Sequence, residues 1–79
     1  MLNESLFIDV SAELMPSSIS EKNGVITAHC RNAVYVISLT KDDRFLVEAT
    51  NWSGETFMSC QYHLESAIDT ARAQVLAAR

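Results

Sequence analysis

Four side chains in this sequence are of the type that holds soft metals, and two of them stand in Cys60-Gln61-Tyr62-His63, at the spacing of one helical turn. The other two, His29 and Cys30, are adjacent. Structural zinc takes four converging Cys or His ligands. Neighbouring residues of a strand point to opposite faces, so only one of His29 and Cys30 could join Cys60 and His63. Three ligands fall short, and no carboxylate is placed by its spacing to complete the set. No metal is expected. A Cys30–Cys60 disulfide would need an oxidising compartment and Cα atoms within about 7 Å, so free thiols are the expectation, with Cys30 a small core hydrophobe.

Other chemistry is equally thin. The chain has no Gly-rich phosphate loop, no nucleophile elbow and no HExxH pairing, and its serines keep no recognisable spacing to His and Asp. A domain this small has little depth for a water-excluded pocket. The expectation is a non-enzymatic protein without a cofactor. Two features point to binding instead. Trp52 is the sole tryptophan and sits in Asn51-Trp52-Ser53-Gly54, a turn-like stretch where a large aromatic can anchor a partner or fold back over the sheet rim. Asp42, Asp43, Glu48 and Glu55 sit at turns or at outward-facing strand positions around it. With Trp52 they are the candidate partner-binding residues.

Composition narrows the partner. The chain has 79 residues, enough for one domain spanning 1–79 and close to the size at which a single core supports itself. Ten acidic against six basic residues give a net charge of −4. Such a surface repels a phosphate backbone and an anionic membrane, and matches a basic protein surface. No apolar run approaches the roughly 18 residues that span a bilayer, and the acidic start MLNESLFIDV lacks the basic region of an export signal. A cytoplasmic protein is expected.

The elements that must position these residues are legible to different degrees. Residues 25–30, 33–40 and 44–50 alternate and are rich in β-branched and aromatic residues. Ile26, Ala28 and Cys30 share one face of the first, Tyr35, Ile37 and Leu39 alternate against Val34, Val36 and Ser38 in the second, and Phe45, Val47 and Ala49 face inward in the third. Lys41-Asp42-Asp43 and Asn51-Trp52-Ser53-Gly54 supply the turns between them and a returning stretch that places Phe57 inward. From Leu64 the period changes. Leu64, Ala67, Ile68, Ala71, Val75 and Ala78 make a helical stripe, with Glu65, Asp69, Arg72 and Gln74 opposite. Ser59 is the expected N-cap of a helix starting near Cys60. The opening segment fits both periods, and β-branched Ile8 and Val10 tip it to a strand over 5–11. Pro16 to Gly24 reads as a loop. The expected fold is α+β: an antiparallel β-meander of three to five strands covered on one face by a C-terminal amphipathic α-helix.

Taken together, GVITAHC, AVYVISLT, RFLVEAT, GETFMS and HLESAIDTARAQVLAA form a plan that resembles, in size, charge and layout, the small phage-encoded anti-CRISPR proteins. The resemblance runs over residues 24–79. It implies an inhibitor that docks on a CRISPR surveillance complex and obstructs target-DNA binding, with Asp42, Asp43, Glu48 and Glu55 meeting a basic channel. The alternative is a small accessory or structural phage or plasmid protein acting as a homodimer, because a short meander has edges that pair with another copy.

Overall fold

Residues 4–78 are described by the computed structural model. They run through α1 (Glu4–Leu14), β1 (Ser18–Lys22), β2 (Val25–His29), β3 (Ala33–Leu39), β4 (Phe45–Asn51), β5 (Thr56–Gln61) and α2 (Leu64–Ala77). The strands lie in the order β1-β2-β3-β4-β5 with every neighbouring pair antiparallel, so the sheet is an up-and-down meander. Both helices pack against one face of it, and the α+β architecture is the expected one.

Turn chemistry sets where the chain reverses. Asn23 and Gly24 both have positive φ, at 54° and 79°, the two-residue turn whose twist matches that of flanking strands. The loops Lys41-Asp42-Asp43 and Trp52-Ser53-Gly54 are built alike. In each, the third residue donates its N–H to the carbonyl before the loop, Asp43 to Thr40 at 3.1 Å and Gly54 to Asn51 at 3.0 Å. In each, that residue is left-handed, Asp43 at φ 64° and Gly54 at φ 89°. The Asn51 carboxamide oxygen also accepts the N–H groups of Ser53 and Glu55, which braces the second loop.

Three expectations are corrected. The loop over 16–24 contains β1, a strand with one half-buried side chain, Ile19, and otherwise exposed ones. It forms because the Asn23-Gly24 turn delivers it in register to β2, and its polar surface blunts the sheet edge. The strand over 5–11 is instead α1. Its buried stripe is Val10 and Leu14 with Leu6 and Phe7 beside them, while Ile8 turns outward. Sheet width supplies the reason: five strands span about 19 Å, and one helix about 10 Å thick covers barely half of that. α2 lies over β4 and β5, so the β2 side of the face needs a second helix. The C-terminal helix starts at Leu64 with His63 as its N-cap residue, not with Ser59. Ser59 is paired opposite Val47 and buried, because the β4–β5 ladder runs on to Phe45 and Gln61 and claims that backbone first.

Between the layers lie Ile26, Ala28, Tyr35, Ile37, Val47 and Ala49 from the sheet, against Val10, Leu14, Ala67, Ile68, Ala71 and Val75 from the helices. The alanines on both sides let the helices sit close to the strands. Asp43 puts a side chain at the left-handed position that glycine fills in the matching loop at Gly54. Asp43→Gly is expected to raise stability by about 0.5 kcal/mol, read as a melting temperature some 2–4 °C higher. A lower value would show that the Asp43 side chain itself holds the turn.

Candidate interaction surfaces

The candidate residues read from the sequence do not come together. Asp42 and Asp43 sit at one end of the sheet, Trp52 and Glu55 at the other, about 20 Å away along β4, and Glu48 lies midway on the face turned away from the helices. Their charges are also unequally free. The Asp42 carboxylate is 2.7 Å from the Arg44 guanidinium and accepts the Thr40 hydroxyl. These hydrogen bonds, the Thr40 one foremost, hold its pKa below the usual aspartate value. Arg44 in turn lies over the Tyr62 ring, 5.6 Å from its centre. Glu55 accepts a hydrogen bond from the Asn51 amide at 3.2 Å.

Trp52 is tied back to the sheet end and still largely exposed. Its indole N–H donates to the Arg31 carbonyl at 2.6 Å, tying the β4–β5 turn to the β2–β3 turn, while 65% of the residue stays exposed. Beside it is a groove of about 570 Å³ between the ends of the helices and these turns. Met15, 83% exposed and left-handed at φ 46°, forms its other rim.

The sheet separates the two cysteines. Cys30 lies on the helix side of it, where its thiol points to the Leu14 carbonyl at 3.9 Å and burial raises its pKa. Cys60 is opposite Leu46 on the other face, and β3 and β4 stand between the two strands concerned. That is about 14 Å of sheet, beyond the reach of a disulfide. Both cysteines are free, and among the described residues no three His, Cys, Asp or Glu side chains could share a metal ion.

Where carboxylates do gather is the helical layer. A groove of about 280 Å³ between α1 and α2 is lined by Asp9, Glu13 and Glu65 with Ala12 and Leu64. Beside it Arg72 bridges the helices. One guanidinium nitrogen donates to the Glu13 carbonyl at 3.1 Å, and the other bonds the Glu13 carboxylate at 3.3 Å and the Asp69 carboxylate. A cation on the last turn of α1 suits its exposed carbonyls and negative dipole end. Asp9, Glu13, Glu65 and Asp69 thus stand against Arg72 alone among the described side chains of the helices. On the sheet and its turns, Glu21, Asp42, Asp43, Glu48 and Glu55 nearly balance Lys22, Arg31, Lys41 and Arg44. The sequence showed Glu65 and Asp69 on the outer helix face, but Asp9 and Glu13 were hidden by reading their segment as a strand. An i, i+4 acidic pair in a segment with a helical apolar stripe was the available signal.

No family model, curated protein or solved structure matches the chain. No described helix is long and apolar enough to cross a membrane.

Arg72→Met removes the clasp on α1 while keeping the aliphatic stem. It is expected to cost about 1–2 kcal/mol, the side chains being partly exposed, and to lower amide-exchange protection in α1 more than in β3 and β4. Equal losses throughout would count against a local clasp. Acid titration of the Asp42 carboxyl by NMR should give a midpoint below the ordinary value of about 3.9. Because its folded pKa is depressed, the stability contributed by its ionised form is complete above the unfolded value and is lost as pH falls through the folded one. An ordinary midpoint would mean the Thr40 and Arg44 contacts do not persist in solution.

Proposed function

We propose that this chain is a non-enzymatic protein-binding module that docks its acidic helical layer on a basic surface of a nucleic-acid-handling complex. One observation carries the reading: the net negative charge is concentrated on one side, in Asp9, Glu13, Glu65 and Asp69 around the α1–α2 groove, whereas the sheet side is nearly balanced. A one-sided anionic field orients the molecule as it approaches a positive surface and speeds encounter. It also competes directly with the phosphate backbone that such a surface otherwise holds. Carried to its sharpest form by the likeness in size, charge and layout, the partner is a CRISPR surveillance complex and the effect is obstruction of target-DNA binding.

The test is direct binding to purified, guide-loaded surveillance complexes by interferometry, at roughly 50 and roughly 300 mM salt, with labelled target DNA as competitor. Expected are binding weakened by salt, slower DNA loading, and a loss of roughly tenfold in affinity in Asp9→Lys and in Glu65→Lys. Asp42→Lys should matter less, because that carboxylate already has a partner in Arg44. Absence of binding to any basic nucleoprotein complex, or binding indifferent to both helix reversals, would sink the reading.

A further inference from the structure

The sheet face turned away from the helices carries side chains that no described element covers. Strand register arranges them in rows. One row is Ser20, Thr27, Val36, Glu48 and Met58. A second is Lys22, Val25, Ser38, Leu46 and Cys60, and a third is His29, Val34, Thr50 and Thr56. The middle of the face is apolar. Val25, Val34, Val36 and Leu46 are half-buried by their neighbours alone, and Met58 is 57% exposed. Glu48 is the single carboxylate in these rows and Lys22 the single lysine, so the net charge of the molecule does not oppose a second copy here.

We propose that this face is a homodimer interface, packed on the same face of a second copy about a two-fold axis parallel to β3. Such an axis lays β3 over β3 and β4 of each copy over β2 of the other. Val34 and Val36 then meet their own counterparts, and Leu46 meets Val25. Glu48 comes over Thr27 and next to His29, where a hydroxyl and an imidazole can bond it, and Cys60 comes over Lys22. An axis across the strands through the middle row would instead set Glu48 against Glu48 in a closing apolar interface, which electrostatics forbids. The rows are self-complementary in the first arrangement only. The result is a β-sandwich with sheets about 10 Å apart, the aligned packing that two twisted sheets adopt.

Area sets the strength. Strands about 4.8 Å apart and about 20 Å long give each face about 500 Å², hence about 1,000 Å² for the pair, the lower bound of a specific interface. An interface at that bound makes a weak, reversible dimer, to be sought at micromolar protein. The interface uses neither helix, so both acidic grooves stay outward and the dimer is bivalent for any partner they meet.

Sedimentation over roughly 5–200 micromolar protein should show a monomer–dimer equilibrium. Val36→Glu places two carboxylates on the axis and should leave a monomer of unchanged circular dichroism, since position 36 points away from the core. Thr27→Lys should tighten the dimer several-fold by meeting Glu48 of the other copy. In the unaltered protein, a short amine-to-thiol cross-linker should join Lys22 to Cys60 between copies, identified in a mixture of light and isotope-labelled chains. Within one chain those residues are at opposite sheet edges, about 19 Å apart, out of reach of such a reagent. The proposal is overturned by a chain that stays monomeric at the top concentration. A dimer that survives Val36→Glu, or one without the Lys22–Cys60 link, overturns it equally, the first by pointing to edge pairing.

Discussion

The width of the sheet is the constraint on which the rest of this structure depends. Four antiparallel hairpin connections build five strands, and a sheet that wide cannot have one face closed by one helix. α2 seals β4 and β5, α1 seals the β2 side, and the fully buried side chains of the core lie between these two layers. The described residues hold no third helix for the other face. One side of the sheet therefore becomes a core and the other is left as surface, with the same alternating strands serving both.

From that division follows the placement of polar groups. Where the last turn of α1 meets the middle of α2, Arg72 satisfies the Glu13 carbonyl that α1 leaves over at its end. It is the one cation among the described helix side chains, and it pairs with two of the four carboxylates, Glu13 and Asp69. Just past the end of α1 a neutral contact, the Trp52 indole on the Arg31 carbonyl, ties two turns that have no strand pairing with each other. The hydroxyls of Tyr35 and Ser59 are buried with no hydrogen-bond partner among the described residues. Both sit at sheet positions where alternation demands an inward side chain.

The two surfaces differ in what they can recognise. The helical layer carries most of the negative charge excess among the described side chains, and such a field steers and orients. The open sheet face offers apolar area with little charge, the signature of a surface that must be covered. A molecule that uses the second on itself keeps the first for something else.

From the sequence alone came the antiparallel meander, the alternation within each of its strands and the stripe of the last helix, because each of these is a short-range period and a period is a local property. Three things were beyond it. The opening segment satisfied two periods at once, and only the uncovered width of the sheet chose the helix. The Ser18–Lys22 strand has almost no apolar pattern, and only pairing with β2 through a two-residue turn made it a strand. The boundary at Leu64 was decided by a cross-strand ladder that outlasted the local cap at Ser59. The same holds for sites. Asp42, Asp43, Glu48, Trp52 and Glu55 are neighbours in sequence, yet an extended strand carries each residue some 3.3 Å further along, so β4 spreads them from one end of the sheet to the other. Asp9, Glu13, Glu65 and Asp69 are far apart in sequence and share one layer, since two helices packed side by side bring together what the chain separates.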